Sequence, residues 1–287
     1  MSFELFSDSS SNITPDLAFE WKVRMIPLHY TLNGTEHPAC GVDFDGHAFY
    51  DALRRREPVR TSMVNTEQFT QAFEPVLAAG RDILYIGMSS GISGTVLAAR
   101  SAAEELKKKY PERKLIVKDT LAASFGEGLF AKAASEMRRA GRKLEDIAAW
   151  IDAHIQSMNQ IFTVDDLMYL KHGGRISGTI AVLGTLANIK PLLWGDTEGR
   201  IAMIDRMIGR KKSLRAVADR FAARVVDPES QTIAIAHGDC ANDAYYLSEL
   251  IRKKFPGQDI LIRCYEPGTG AHVGPGAVAL FFFGKPR

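Results

Sequence analysis

Short apolar runs alternate with amphipathic segments along the first 160 residues. The runs DILYIG at 82–87 and KLIVKD at 114–119 are largely apolar, which is typical of strands buried on both faces. Apolar residues recur at helical spacing in 65–80, 95–110 and 124–140, and VRMIPLHYTL at 23–32 has the composition of one β segment. Strands that alternate with helices over short connections predict a parallel, doubly wound α/β sheet.

The second half has a different pattern. Apolar residues at helical spacing predict a long helix from Leu144 to Asn159, and helices are also expected at 179–188, 211–225 and 243–255. Between them lie strand-like runs joined in part by hairpin-length turns such as GDTEGR, namely IFTV, PLLW, IAMIDR, TIAIAH, DILIRCYE and AVALFFFG. We therefore predict a C-terminal α/β domain with a mixed or antiparallel sheet. The expected domains are 1–160 and 161–287, with a ligand in the cleft between them.

Composition narrows the class of protein. The 287 residues are 46% hydrophobic and 24% charged with a net charge of +2, which is ordinary for a globular protein and gives no electrostatic argument for a nucleic-acid partner. The amino terminus lacks a secretory signal pattern, and no run approaches the roughly 18 apolar residues of a membrane span. We expect a cytoplasmic protein without membrane insertion. Cys40, Cys240 and Cys264 share no close spacing, which favours buried reduced thiols over disulfides or a metal site.

The loop GMSSGISGT at 87–95 follows an apolar strand and allows two interpretations. Its first five residues match the G-x-S-x-G pattern of a serine hydrolase, with Ser89 as nucleophile. The order of the chain would permit His237 or His272 as base and Asp205 or Asp239 as acid, but spacing selects none of these four residues.

The second interpretation is a receptor for a carboxylate or phosphate. Glycines allow close approach of the backbone, the start of a helix carries partial positive charge, and the hydroxyls add hydrogen-bond donors. No lysine follows, so the loop is not a nucleotide-binding P-loop. A plain helix cap at Ser93 is the structural alternative.

Three further segments hold candidate site residues. Thr61 and Ser62 in RTSMVNT read most simply as part of a capping stretch, with Asn65 or Thr66 as the N-cap. Arg175 stands beside a Gly-Gly turn, where a structural ion pair is the default expectation. His272 stands in a glycine-rich stretch before a strongly apolar strand, which favours a loop that carries a site.

Six motifs in series resemble the DegV family of bacterial proteins. They are SDSSSN at 7–12, TS at 61–62, SSGISGT at 89–95, DDLMYLKHGGRIS at 165–177, NIKPLL at 188–193 and AHVGPGAVAL at 271–280. Each motif alone is weak, but their order and spacing cover the chain from Phe3 to Gly284. Proteins of this family bind long-chain fatty acids and include the fatty-acid-binding subunit of fatty acid kinase.

The resemblance implies a two-domain α/β carrier that holds one acyl chain, such as palmitate, in a tunnel between its domains. It implies no catalytic residue, metal or cofactor, and a separate kinase subunit that phosphorylates the bound carboxylate. Carried over by motif, the head-group residues are Thr61, Ser62, Ser93 and His272, with Ser89, Ser90 and Gly94 in the same cradle. Arg175, Arg206 and Arg210 are expected near the head group or the partner.

Two departures from the family pattern stand out. Met63 and Val64 follow the TS pair where Gln-Pro is common, which would reshape one wall of the head pocket. Ile208 occupies a position that is commonly basic and is implicated in docking of the kinase. Besides the carrier, a serine esterase using Ser89 and a lipid-responsive regulatory protein without a kinase partner remain as hypotheses.

Overall fold

The computed structural model describes residues 3–40, 44–176 and 188–287. The strands are β1 (Phe3–Asp8), β2 (Val23–Ile26), β3 (His29–Leu32), β4 (Thr35–Pro38), β5 (Val59–Ser62), β6 (Asp82–Gly87), β7 (Leu115–Asp119), β8 (Met158–Thr163), β9 (Ile189–Gly195), β10 (Ile201–Ile208), β11 (Ile233–His237), β12 (Ile260–Cys264) and β13 (Val278–Phe283). The helices are α1 (Pro15–Trp21), α2 (Gly46–Arg54), α3 (Thr66–Ala78), α4 (Thr95–Lys109), α5 (Phe125–Arg139), α6 (Leu144–His154), α7 (Met168–His172), α8 (Arg210–Arg224), α9 (Ala241–Lys254) and α10 (Pro267–Val273).

The N-terminal half forms the expected parallel sheet, in the order β2-β1-β6-β7. All six residues of β6 are buried, as a strand covered on both faces requires. The chain runs from β1 to β2 on one side, and β6 then pairs with the other side of β1. The strand order therefore reverses between β1 and β6, and ligands of open α/β sheets bind beyond the carboxyl ends of strands at such a point.

A second, antiparallel sheet in this half was not predicted. Strands β4, β3 and β5 pair in that order, so the segment 23–32 is divided between two sheets at Pro27 instead of forming one strand. Thr61 and Ser62 lie on β5 and not in a capping stretch. The predicted cap is found just beyond them, since Asn65 and Gln68 form a reciprocal capping box at the start of α3.

The C-terminal half forms a mixed six-stranded sheet in the order β10-β9-β8-β13-β11-β12. Among the described strands of this sheet, β11 and β12 are the one parallel pair, and β9 and β10 form the predicted hairpin. This confirms an α/β fold with a parallel N-terminal sheet and a mixed C-terminal sheet. The domain boundary near residue 160 stays a prediction, and that residue lies inside β8.

Helix α5 joins the two halves. It packs on β1 and β6 of the parallel sheet and on β8, β11 and β13 of the mixed sheet. The close packing of α5 depends on glycine at position 128. A Cβ at that position would lie 2.6 Å from the carbonyl oxygen of Ser11, which is too close for any other residue. Phe125 stacks edge-on against Phe281, with ring centroids 6.4 Å apart, so one hydrophobic core runs through both sheets.

One helix prediction and one loop prediction were wrong. The helix from Leu144 ends at His154, and Met158 and Asn159 belong to β8, because both residues are buried as sheet positions. The stretch around His272 is the helix α10 and not a loop; the carboxylate of Glu266 accepts hydrogen bonds from the amides of Gly268 and Thr269 and caps it. The helix predicted at 179–188 lies outside the described residues, apart from Asn188.

Two further expectations concern the surface and the thiols. Within 3–40, 44–176 and 188–287, no helix is long and apolar enough to cross a bilayer. Cys40, Cys240 and Cys264 are free thiols, as predicted, but they are half-buried and not fully buried. Burial raises the pKa of the Cys240 thiol to about 12, so that group remains protonated near neutral pH.

Candidate functional site

A cavity of about 240 Å³ lies between the two halves of the chain. A single water needs only about 10–15 Å³, so this space can hold an organic ligand. Its apolar wall includes Leu28, Met88, Ile92, Phe162, Leu170 and Phe281. Its polar wall includes Thr61, Ser62, Ser93, Arg175 and His272, so four of the predicted head-group residues do line one cavity.

Thr61 and His272 come from opposite ends of the sequence and are hydrogen-bonded. The Oγ1 of Thr61 lies 2.9 Å from the Nε2 of His272. Burial and the nearby positive charge of Arg175 lower the pKa of His272 to about 4, so its imidazole is neutral at neutral pH. A neutral imidazole has one donor and one acceptor nitrogen, which allows the pair to orient its hydroxyl toward a bound anion.

Ser93 and Gly94 bring the end of β6 and the start of α4 to the cavity. The Oγ of Ser93 lies 2.9 Å from the Oγ1 of Thr95, and Gly94 is the N-cap of the fifteen-residue helix. The positive end of α4 thus adds to the hydroxyl donors. A Cβ on Gly94 would lie 2.9 Å from the sulfur of Met63, so Met63 packs against this glycine and forms a cavity wall.

The guanidinium of Arg175 is half-buried at the polar wall. Its Nε donates to the carbonyl of Ile92 at 3.2 Å and its Nη1 donates to the carbonyl of Gly173. None of the ion pairs among the described residues involves Arg175, which corrects the expectation of a structural ion pair. Burial lowers its pKa from the ordinary range. Arg175 therefore places a positive charge in the lining of the cavity.

Ser89 does not line the cavity and has a structural role. It is fully buried, its Oγ donates to the carbonyl of Gly199 at 2.8 Å, and the same oxygen accepts from the amide of Gly91 at 3.0 Å. Gly199 has a φ of 73°, and a Cβ there would lie 2.1 Å from that oxygen. Ser89 thus ties the loop after β6 to the β9–β10 turn. Ser90 is exposed, and its amide donates to Asp119 at 3.2 Å.

The other residues named for an esterase are engaged elsewhere. His237 accepts a hydrogen bond from the amide of Cys240 at 3.3 Å. Asp239 pairs with His47 and Arg54 at 2.8 and 2.6 Å, and Asp205 lies 3.6 Å from the guanidinium of Arg220. These contacts do not assemble a base and an acid around Ser89.

The two remaining predicted arginines lie away from the cavity lining. Arg206 is exposed on β10. Arg210, in the first turn of α8, donates to the carboxylate of Asp243 at 2.8 Å. Ile208 is 67% exposed on the same edge strand, so an apolar side chain stands where the resemblance suggests a basic residue.

Two buried carboxyl groups were missed by the sequence analysis. Asp8 and Glu127 are fully buried, and the hydroxyl of Ser10 contacts both of them. Burial and the charge of Asp8 raise the pKa of Glu127 well above its usual range. The Oγ of Ser7 lies 2.7 Å from Glu127 and 3.0 Å from the carbonyl of Ile86, and one hydroxyl proton cannot serve both acceptors. A protonated Glu127 that donates to Ser7 satisfies both contacts.

The sequence analysis also missed Ser124, which lies at the start of α5. It lines the cavity and is 1% exposed, and its backbone has a φ of 53° and a ψ of −137°. Such a conformation costs a non-glycine residue about 1–3 kcal/mol and is concentrated at functional sites. In the sequence Ser124 resembles an ordinary helix cap, so no signal distinguished it.

The family model described as "uncharacterised protein, DegV family" matches residues 2–285 of the chain. A DegV domain-containing protein of Clostridium perfringens is 38% identical over 99% of this chain and 98% of its own length. A DegV family protein from Thermus thermophilus, whose structure is described under the words fatty acid binding, has 28% identity and a TM-score of 0.84, with 99% of this chain and 100% of that chain covered. A protein of the same family from Ruminococcus gnavus, refined with vaccenic acid, has 21% identity and a TM-score of 0.87, over 98% and 99% of the two chains.

Proposed function

This chain belongs to the DegV family, and from that premise we propose that it binds one long-chain fatty acid in the cavity between its two halves. The carboxylate is held by Thr61, Ser62, Ser93 and His272, close to Gly94, and the alkyl chain lies along the apolar wall. The single observation that carries this proposal is the cavity itself, because hydroxyls, a neutral imidazole and one arginine share its lining with a long set of apolar side chains. The Thermus thermophilus relative, described as binding fatty acid, supports it.

The energetics favour a carrier that retains its ligand reversibly. A sixteen-carbon acid has about fourteen methylenes, worth roughly 0.8 kcal/mol each on burial, or about 11 kcal/mol in total. Association costs about 4–15 kcal/mol, so the alkyl chain alone gives a useful but limited affinity. The head group must supply the rest, since an unpaired buried carboxylate would cost several kcal/mol.

The polar wall suits a carboxylate that binds reversibly, because a carrier must release its fatty acid. Hydroxyl and amide donors satisfy the oxygens without the strong Coulombic attraction of a direct ion pair. Arg175 adds a positive charge at the same wall, but its guanidinium also donates to the carbonyls of Ile92 and Gly173. We therefore assign Arg175 to the general electrostatic attraction of the head group and the hydroxyls to its orientation.

Extraction of the purified protein with organic solvent followed by mass spectrometry tests the binding. We expect a long-chain fatty acid in near-stoichiometric amount, and a large loss of it in the double variant Thr61→Ala, Ser93→Ala. Ser90→Ala is the matched control, because Ser90 belongs to the same loop but is exposed. Equal lipid content in the double variant and the control would overturn the assigned site.

We further propose that the bound acid is presented to a separate kinase subunit, which would form the acyl-phosphate, and that this chain itself performs no chemistry. The family resemblance supports this step, and the exposed Ile208 is the feature that sets this chain apart at the expected docking surface. Incubation of the loaded protein with a fatty acid kinase catalytic subunit and ATP should yield acyl-phosphate. Retention of fatty acid without any acyl-phosphate would instead favour a lipid-responsive regulatory protein.

A further inference from the structure

Gln160 on β8 lines the cavity at a distance from the polar wall. Strand β8 ends at Thr163, and the chain then continues toward Arg175. His272 lies on α10, shortly before β13, whose first residue Val278 pairs with Thr163. Both polar-wall residues are therefore reached from the Thr163 end of this strand pair, and Gln160 lies three residues back from that end. That step covers about 10 Å along the strand, so Gln160 stands at the end of the cavity remote from the head group.

The side chain of Gln160 bridges the two halves of the chain. Its Oε1 accepts from the amide of Ala123 at 2.8 Å, and its Nε2 donates to the carbonyl of Leu121 at 3.2 Å. Both partners belong to the β7–α5 connection, whereas Gln160 itself belongs to the mixed sheet. The carboxamide therefore closes the space between the two sheets at this end of the cavity.

Glycines on two sides leave this carboxamide little room to turn aside. A Cβ on Gly195 would lie 2.4 Å from its Nε2, and a Cβ on Gly126 would lie 3.1 Å from its Oε1. The Nη1 of Arg287 lies 3.2 Å from the same Cβ position of Gly195. It also donates to the carbonyl of Leu121 at 3.0 Å, so a guanidinium occupies the space next to the carboxamide. An alkyl chain cannot replace the water or hydrogen bonds that a guanidinium needs, which makes this end a poor place for further methylenes.

We propose that Gln160 is a specificity-determining residue that sets the longest acyl chain the protein retains, with the methyl end of the bound acid against its carboxamide. This inference rests on the proposed function, because the carboxylate must lie at the opposite, polar wall with Thr61 and His272. The oxygen and the nitrogen of the carboxamide already have protein partners. A longer chain could displace the side chain only by breaking those hydrogen bonds.

A closed end of the cavity gives an upper limit of chain length. Each methylene that enters the apolar part of the cavity improves binding about fourfold, or 0.8 kcal/mol. Once the methyl end contacts Gln160, a further methylene must overpack a wall that does not yield, and the affinity falls. We therefore expect the affinity to rise with chain length to one optimum and to decrease beyond it.

Competition among saturated acids tests this limit. Delipidated protein is incubated with an equimolar mixture of acids of even and odd chain length, and the retained acids are extracted and quantified by mass spectrometry. Gln160→Ala removes the side chain beyond Cβ, so we expect an optimum about two carbons longer and a roughly tenfold rise in the ratio of that acid to the wild-type optimum. Gln160→Asn keeps a carboxamide and should lengthen the optimum by about one carbon.

Two control variants separate the volume of the side chain from its hydrogen bonds and from stability. Gln160→Leu keeps a side chain of similar size but makes no hydrogen bond, and it should retain the wild-type optimum. Gln258 is as buried as Gln160, at 7% exposure, and its amide donates to the carbonyl of Gln231 outside the cavity lining. Gln258→Ala should therefore also retain the wild-type optimum.

The outcomes separate the two proposals. Retention of fatty acid with the same optimum in wild type and Gln160→Ala overturns the role of Gln160 and leaves fatty-acid binding intact. A longer optimum in Gln160→Leu or Gln258→Ala also overturns it, because lost hydrogen bonds or lost stability would then suffice. Should Gln160→Ala not fold, an unchanged optimum in Gln160→Asn overturns it. Failure of the wild type to retain any acid overturns the proposed function and the length limit with it.

Discussion

The Oγ1 of Thr61 and the Nε2 of His272 lie 2.9 Å apart although 211 residues separate them in sequence. Thr61 is held by the small antiparallel sheet, and His272 by a helix that a buried glutamate caps. The head of the cavity is therefore assembled only when the N-terminal and C-terminal halves are both folded.

Loss of the Thr61 hydroxyl should weaken fatty-acid binding and leave the fold intact. Thr61→Val preserves the shape of the side chain but leaves the nitrogen of His272 and one carboxylate oxygen without their partner, at a cost of about 1–3 kcal/mol, or roughly 5- to 150-fold in Kd. Displacement of a fluorescent fatty acid measures the change. Thr70→Val on α3, where the hydroxyl donates to its own helix, should bind as the wild type does. An unchanged Kd in Thr61→Val would remove Thr61 from the site.

His272 should make the ligand-free protein less stable in weak acid. Its pKa is lowered from 6.5 to about 4 in the folded chain, so the unfolded chain binds the proton more readily between these values. Stability is then full above pH 6.5 and falls as the pH decreases toward 4, by up to about 3 kcal/mol. Urea unfolding of delipidated wild type and His272→Gln between pH 4 and 7 should show a steeper loss in the wild type. Parallel pH profiles for the two proteins would contradict the lowered pKa.

Glu127 should contribute a pH dependence of opposite sign. Its pKa is raised by burial and by Asp8, so the folded chain keeps a proton that the unfolded chain loses near pH 4.5. Its contribution to stability is greatest below that pH and is lost as the pH rises toward the folded pKa. The stability of the wild type relative to Glu127→Gln should therefore decrease from pH 5 to 8 in urea unfolding. Glu136→Gln, at an exposed position of the same helix, should show no such trend. A constant difference between wild type and Glu127→Gln would mean that Glu127 is ionised in the fold.

Ser89 should matter for stability and not for chemistry. Ser89→Ala leaves the carbonyl of Gly199 and the amide of Gly91 without their partner, which should reduce the free energy of unfolding by about 1–3 kcal/mol. The wild type should not react covalently with a fluorophosphonate probe, as checked by intact mass. Labelling of Ser89, or ester hydrolysis that Ser89→Ala abolishes, would restore the esterase hypothesis. The exposed Ser90→Ala should match the wild type in both measurements.

Local patterns in the sequence predicted the buried strands and most helices, but not the partition of adjacent strands between sheets. The segment 23–32 has uniform β character, and its division at Pro27 depends on which partners β2 and β3 meet. Met158 fits the apolar spacing of the preceding helix, and only its pairing with Phe283 shows that it is a strand residue. Such choices depend on contacts between residues far apart in sequence.

The candidate site was predictable where a motif carried it. The resemblance identified Thr61, Ser93 and His272, all of which line the cavity. It also suggested Ser89, whose hydroxyl the fold uses to hold Gly199. A serine in a glycine-rich loop has the same sequence signature whether its hydroxyl faces a ligand or a neighbouring carbonyl. The unusual backbone of Ser124 has no sequence signature, because serine is also one of the residues preferred at an ordinary helix N-cap.

The position of α5 between the two sheets has a thermodynamic consequence. Its packing merges both halves into one interior, and the cavity opens within that interior, so an alkyl chain there adds contacts to the same set of side chains that hold the polypeptide together. Ligand binding and folding are then linked by mass action, because the acid binds the folded chain and not the unfolded one. At equal concentration, the acid with the lowest Kd raises the melting temperature most. The thermal midpoint of a preparation thus reports which lipids it carries.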